Sequence, residues 1–391
     1  MSSSSESSKV LHPHEADGEG ASGLAEHGLK PMEAAVALYS ERDSEVAAAI
    51  VASLSREIFD RDLPKAASRI KRRLAGLTYR ILKRTTKEHV RTDPDGTEYV
   101  AYKNRILERS GHPYAMTLLE PSGADSASFV EGGDPMNAPY MMISPEINQH
   151  AELWDKLLLG SVHGTDVQLR FMRETQFTHK VARERLERGE PVRLKALAAG
   201  TGLSMILVYD RLVREGFDPK MITTTITDRD PANVDRSLRL MRQLTTTRDN
   251  IATGADIHGI SARVEDLLHP APEDTDDRHD IVTLVGILEY FAGHTSASTH
   301  EHLGHDLPES EIDAVHIIDK INPMLNESGT LIANSYRVET GARILEIFGK
   351  KLFYRDRAKL QSLVETAGFT SRGIAGSGHV YDVEVFGKSK A

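Results

Sequence analysis

The stretch that most constrains this chain is Leu194-Lys195-Ala196-Leu197-Ala198-Ala199-Gly200-Thr201-Gly202-Leu203-Ser204. Val192, Leu194 and Leu197 open an apolar run whose end, Ala198-Ala199, is kept small, which predicts a short buried strand. Gly200 and Gly202 then supply positions that can take positive φ and present backbone N–H groups with no Cβ in the way. Ile206, Leu207, Leu212 and Val213 recur at helical spacing directly afterwards. Strand, glycine elbow and helix N-terminus together make a site for a polar ligand group at the strand's carboxyl end.

A dinucleotide fingerprint requires a third glycine where this chain has Met205. Ile222 to Thr227 is a β-branched run, hence a second strand, and it ends in Asp228-Arg229-Asp230-Pro231. A carboxylate at that tip, with Pro231 opening the next helix, suits a ribose whose two hydroxyls donate to one acid. On these residues the chain resembles the class I S-adenosylmethionine-dependent methyltransferases. By position, Gly200 and Gly202 match the last two glycines of that family's acid-x-Gly-x-Gly-x-Gly turn, and Asp228 matches its ribose acid. Ala196 stands in place of the acid and Ala198 in place of the first glycine. The resemblance implies a Rossmann-like α/β fold, with a mostly parallel seven-stranded sheet flanked by helices. It also implies S-adenosyl-L-methionine as cofactor, set among Ala198, Gly200, Thr201, Gly202, Asp228, Arg229, Glu265 and Gly286. Glu265 enters only because Arg263 occupies the usual acidic place after the third strand.

The later strands follow in order. Gly254 to Arg263 holds the third, and Asp280-Ile281-Val282-Thr283-Leu284-Val285 is nearly continuous apolar, as a central parallel strand should be. That fourth strand ends in Gly286-Ile287-Leu288-Glu289-Tyr290. Ligands in open α/β sheets sit at such ends, so Glu289 and Tyr290 are the candidate catalytic residues, with Asp230, His258, Tyr336 and Arg337 in reserve. Thr330 to Ser335 is a fifth strand. Thr370 to Ile374 and His379 to Phe386 form a closing pair turned by Gly376-Ser377-Gly378. Gly286 to Tyr290 and Leu352-Phe353-Tyr354-Arg355-Asp356 also resemble segments of bacterial methyltransferases grouped with those making extracellular fatty-acid-ester signals.

The 391 residues predict three parts: a disordered Ser-, Gly- and Glu-rich tail over 1–30, a mainly helical accessory region with a hairpin over 31–165, and the cofactor-binding domain over 166–391. With 39% hydrophobic residues the chain can bury a core without staples, and having no cysteine it excludes disulfides and thiolate catalysis. A net charge of −10 argues against nucleic acid as a partner of the whole molecule. No apolar run is long enough to cross a bilayer and the N-terminus lacks the layout of a signal peptide, so the expected compartment is cytoplasmic. The expected partner is a small-molecule acceptor, with a homodimer left open.

Pro64 to Arg84 carries eight basic residues; it reads either as a patch for a polyanion or, more simply, as an amphipathic helix with Ile70, Leu74, Leu77 and Ile81 on one face. Asp93-Pro94-Asp95-Gly96 joins two strands of a hairpin. Glu131 to Met142 is either a lid or a plain connection. His300, His302 and His305 with Glu301 and Asp306 have zinc-like spacing, but Gly304 and the Ser/Thr run argue for a solvated insertion, so no metal is expected. Methyl transfer to a small-molecule oxygen, nitrogen or carboxylate is the expected activity. A nucleotide-dependent enzyme on the same scaffold, or a catalytically silent cofactor-binding protein, remains the alternative.

Overall fold

The computed structural model describes residues 24–40, 44–63, 69–92, 96, 98–119, 137–228, 230–246, 256–261, 278–291, 314–338, 343–348 and 352–389. In the amino-terminal part, α1 (Pro31–Ala37), α2 (Ser44–Phe59) and α3 (Arg69–Thr85) precede the hairpin of β1 (Thr86–Thr92) and β2 (Glu98–Asn104). The hairpin is antiparallel with Val90 opposite Val100. Asn104 then caps a short helix, its Oδ1 accepting from the N–H groups of Ile106 and Leu107.

The long helix α4 (Val162–Leu186) leads into the sheet: β3 (Val192–Ala196), α5 (Leu203–Arg214), β4 (Ile222–Asp228), α6 (Pro231–Thr246), β5 (Asp256–Ser261), β6 (His279–Leu284), α7 (Ala314–Met324), β7 (Leu325–Tyr336), α8 (Arg357–Thr366), β8 (Phe369–Ser377) and β9 (Tyr381–Lys388). The seven strands lie in the order β5-β4-β3-β6-β7-β9-β8. The first five run parallel and β9 is antiparallel to both β7 and β8. This is the mostly parallel, Rossmann-like sheet closed by a hairpin that the sequence implied. The chain order reverses between β3 and β6, the switch point at which such sheets bind ligands.

Period-two alternation puts a core on each face. Ile281 and Ile332 point to the side covered by α2, α4, α5 and α6, whereas Val282, Leu331 and Ala333 point to α7 and α8. The first core is continuous from the amino-terminal helices to the sheet: Leu38, Ile50 and Leu54 pack in one cluster with Leu194, Ile206 and Ile226. The amino-terminal helix α2 thus packs on α4, α5 and α6, over the helices that cover this face of the sheet. Among the described residues no helix is long and apolar enough to cross a membrane, and no group of metal-ligating side chains converges.

Two sequence expectations are corrected here. The closing strand β8 runs on through Gly376-Ser377, so those residues do not make the turn; the chain reverses over Gly378-His379-Val380. Two bulges in β8 shift the register, and the glycines serve close approach: a Cβ on Gly376 would stand 2.2 Å from Arg173 Nε, and one on Gly378 2.6 Å from Asp166 Oδ2. The second correction concerns α3. The helix forms, but the face carrying Ile70, Leu74, Leu77 and Ile81 is exposed, and only Ala75 and Leu82 are buried.

Candidate functional site

The turn after β3 is fixed from both sides. The N–H of Leu197 donates to the Thr283 carbonyl of β6 (3.0 Å), and that of Ala199 donates to the Thr227 carbonyl of β4 (2.8 Å). Through this turn every second residue is left-handed: Ala198, between the two anchors, at φ +49°, then Gly200 at +57° and Gly202 at +59°. Ala198 is the one described non-glycine residue with positive φ, and its Cβ costs about 1–2 kcal/mol there. The backbone has thus kept the conformation of a three-glycine turn at a position where the side chain opposes it. The two glycines differ in purpose. A Cβ on Gly202 would lie 2.7 Å from Ile226 Cγ2, whereas one on Gly200 would meet nothing within 4 Å.

Asp228, at the tip of β4, holds this turn. Its Oδ2 accepts from Gly200 N–H (2.8 Å), and its Oδ1 accepts from Asp230 N–H (2.9 Å) and Asn233 Nδ2 (3.3 Å). Thr201 is buried, and its hydroxyl accepts from Tyr39 Oη (2.7 Å) and Asn137 Nδ2 (3.0 Å). Its carbonyl accepts from Ser237 Oγ (2.6 Å). The amino-terminal region is thereby tied to the elbow itself. Tyr39 and Asn137 had no signal in the sequence, because neither belongs to a motif.

Across the switch point lies a second, buried polar cluster. Gly286, at φ +80°, donates its N–H to Asn334 Oδ1 (2.7 Å), and a Cβ on it would meet the Arg170 guanidinium at 2.9 Å. Arg170 Nη1 donates to Glu289 Oε1 (3.3 Å), and the guanidinium lies 4.4 Å from the centre of the Tyr381 ring. Burial works against the Arg170 charge, but Tyr381, Tyr140, Glu289 and Glu174 more than offset it and raise its pKa. Glu289 is buried; burial pushes its carboxyl above the ordinary range while Arg170 opposes the shift. Its Oε2 makes no hydrogen bond of normal geometry among the described residues, although the Asn334 side chain lies near enough to lower the carboxyl's pKa. A buried carboxylate whose pKa is raised overall is suited to accept a proton.

Glu174 joins the two halves. It projects from α4, one turn after Arg170, and its Oε1 accepts from Ser204 Oγ (3.2 Å) in the first turn of α5. Thr283 of β6 also hydrogen-bonds to it, and Thr283 is the sheet partner of Ala196. Ala196 faces the α4 side of the sheet. A carboxylate is therefore present beside the end of β3, delivered by a helix rather than by residue 196. Burial pushes its pKa from 4.5 up to about 7, against the pull of Arg170, Ser204 and Thr283.

The structure thus brings Ala198, Gly200, Thr201, Gly202 and Asp228 together on one side, and Gly286 and Glu289 on the other. Tyr290 closes the short 3-10 turn Leu288–Tyr290 beside Glu289. Arg229, Glu265 and the histidine run 294–306 lie outside the described residues, as does 131–134. Of the reserves, His258 is exposed on β5, Asp230 caps α6 through Ala232 N–H (2.9 Å), and Tyr336 stacks on Tyr354 at 5.0 Å. Arg337 bonds the Gly378 carbonyl and lies 3.4 Å from Asp382.

The sheet order and the left-handed turn place the chain in the Rossmann-like fold class that the sequence resemblance implied. Similar solved structures include three methyltransferases. The magnesium protoporphyrin IX methyltransferase of Synechocystis is 13% identical, with 57% of this chain and 87% of that chain covered and a TM-score of 0.37. The N,N-8-amino-8-demethyl-D-riboflavin dimethyltransferase of Streptomyces davawensis is 17% identical, with 81% and 85% covered and a TM-score of 0.36. The CMeT domain of the citrinin polyketide synthase is 12% identical, with 97% of each covered and a TM-score of 0.41. At these scores the likenesses decide nothing by themselves. No protein-family model matches the chain, and no curated protein matches it.

Proposed function

We propose that the chain is an S-adenosylmethionine-dependent methyltransferase acting on a small molecule. The observation that carries this reading is the turn at the end of the central strand β3, left-handed at 198, 200 and 202 and tied to Asp228, at the switch point of a sheet ordered β5-β4-β3-β6-β7-β9-β8.

The residues fit that cofactor group by group. Gly200 leaves open space above the turn, where a carboxylate can approach backbone N–H groups. Asp228 accepts three of the roughly four hydrogen bonds a carboxylate can take, so a ribose shares it with Asn233, its longest partner. The amino-acid end of the cofactor carries an ammonium, which needs a carboxylate, and Glu174 supplies the one that Ala196 does not. When bound, the cofactor supplies an electrophilic methyl group on a sulfonium.

The remaining work belongs to the protein. Glu289 Oε2 takes the proton from a hydroxyl or protonated amine acceptor. Arg170 holds the other oxygen of Glu289 in place and keeps the pair buried. The amino-terminal helices and α4 exclude water from the carboxyl ends of the strands, which strengthens each of these contacts.

Calorimetric titration of S-adenosylmethionine and its demethylated product into the parent and into Asp228→Asn tests this reading. Both compounds should bind the parent, and the variant should lose about 1.5–3 kcal/mol, the worth of a hydrogen bond to a charged group. A folded parent that binds neither compound, and binds a nicotinamide dinucleotide instead, would overturn it.

A further inference from the structure

The face of α3 that should be buried is outside. Ile70, Leu74, Leu77 and Ile81 fall within one turn-to-turn stripe, and their exposures are 72%, 56%, 48% and 43%. A surface helix of a soluble domain turns such a stripe to the core, yet here the packed side is the one carrying Ala75 and Leu82. At 100° per residue, Arg69, Arg73, Arg80 and Arg84 form a row along one flank of the stripe. Among the described residues none of these four pairs with a carboxylate. Arg80 bonds only the Gly76 carbonyl of its own helix.

We propose that α3 is a docking helix for the surface of an anionic lipid bilayer. Charge complementarity selects this occupant. Between Arg69 and Arg91 there are nine basic residues and one acidic one, in a chain whose net charge is −10. An anionic surface attracts this segment and repels most of the rest, which orients the protein with α3 down. The chemistry of the stripe agrees: an apolar face of Ile and Leu beside a row of Arg is what an in-plane helix needs, the apolar side chains entering the acyl boundary and the guanidinium groups staying among headgroups. A second copy of the chain fits less well. Four side chains make a patch well short of the roughly 800 Å² per partner of a stable interface, and pairing the helices would bring two arginine rows together. A nucleic acid would use the arginines and leave the apolar stripe in water.

The helix is also next to the site. Ala75 on its inner side packs in one cluster with Tyr336 and Tyr381, at the end of β7 and the start of β9. Docking through α3 therefore sets the acceptor half of the site near the membrane.

The test is co-sedimentation of the full chain with phosphatidylcholine vesicles and with vesicles containing one-third phosphatidylglycerol, at low and high salt. The parent should bind the anionic vesicles at least tenfold more tightly and lose that preference in high salt. Leu74→Ser/Leu77→Ser, which keeps every charge, should weaken binding at least tenfold. Arg73→Gln/Arg80→Gln/Arg84→Gln should weaken it about fivefold per residue. An unchanged Tm in each variant shows that the fold is intact, since the substituted side chains are exposed. The proposal fails if the parent does not bind anionic vesicles, or if the leucine variant binds them as the parent does. It fails equally if binding is to single-stranded RNA and survives the leucine changes, or if the leucine changes convert a dimer to a monomer without altering vesicle binding.

Discussion

The two halves of the site are built in opposite ways. The turn side is made from neighbours in sequence: β3, the left-handed positions 198, 200 and 202, and an aspartate that reaches back 28 residues to Gly200. The acceptor side is made from strangers. Arg170 comes from α4, Gly286 and Glu289 from the segment after β6, Asn334 from β7 and Tyr381 from β9, with Glu174 of α4 reaching across to the turn. The turn depends on backbone conformation, which glycine spacing encodes locally. The acceptor side depends on burying charges against each other, and no local pattern records which helix delivers the partner. The turn should therefore respond to changes of shape and the acceptor side to changes of charge.

The largest expected effect is on the acceptor side. Glu289→Gln keeps the volume and a contact for Arg170 but removes the proton acceptor, and turnover of a hydroxyl or amine acceptor should fall about 10²–10⁴-fold. Cofactor affinity should not change. Because burial raises the Glu289 pKa, the parent's rate should climb with pH through a range above that of an ordinary carboxylate. A variant with full activity would move the base elsewhere, or make the acceptor a carboxylate that needs none.

On the turn side, the paired substitutions Gly202→Ala and Gly200→Ala separate conformation from contact. Both place a Cβ on a left-handed residue, at about 1–2 kcal/mol each. Only Gly202→Ala also drives that Cβ against Ile226, and overpacking adds about 1–3 kcal/mol. Denaturant unfolding should rank Gly202→Ala as clearly the more destabilised. Equal losses would mean that Ile226 yields and that the two glycines serve the same end.

Glu174→Gln sharpens the comparison, because this residue touches both halves. Its pKa is raised on folding, so between 4.5 and about 7 the native state keeps a proton that the unfolded chain releases. The stability it contributes is present below 4.5 and is lost as pH rises toward 7. Glu384, pushed by burial to about 7, acts in the same direction, and His163, held by burial at about 4, acts in the opposite one. The informative quantity is thus the parent compared with the variant at each pH. Glu174→Gln should be the more stable of the two in the free form at pH 8, and should bind S-adenosylmethionine about 10- to 100-fold more weakly. In the parent, the ammonium should draw the proton off Glu174, so binding near pH 6.5 should release a proton that the variant does not release. Calorimetry in buffers of different ionisation enthalpy measures this directly.

These same residues mark how far the sequence could be read. The order of the parallel strands followed from apolar runs and punctuation, since β3, β4 and β6 are contiguous, nearly all-buried segments, His279–Leu284 wholly so. Asp228 was legible because an acid at a strand tip occupies a defined place. Glu174 was not, since within the periodic pattern of a long helix one more glutamate reads as solvated surface, and only its packing against Ser204 makes it otherwise. Gly376 misled for a related reason, whereas Gly378 does lie in the turn. Glycine in a short loop suggests a turn, and at 376 it instead makes room within β8 for Arg173 of α4. The outward face of α3 was also hidden, because periodicity defines a face without saying which way it points.

The smallest effect is the most direct test of the turn. Ala198 stands where a glycine would have no steric penalty, and the backbone nevertheless takes φ +49°. Leu197 and Ala199 on either side are bonded to β6 and β4, so residue 198 cannot relax without breaking one of those anchors. Ala198→Gly removes the Cβ penalty of about 1–2 kcal/mol. It also gives the unfolded chain more freedom, worth about 0.4–1 kcal/mol in the other direction. The net expectation is a stabilisation of about 0–1.5 kcal/mol, where the same change at an ordinary residue would destabilise. A loss of stability in Ala198→Gly would mean that the free turn does not hold residue 198 left-handed, and the shape argument for the cofactor side would then rest on Gly200 and Gly202 alone.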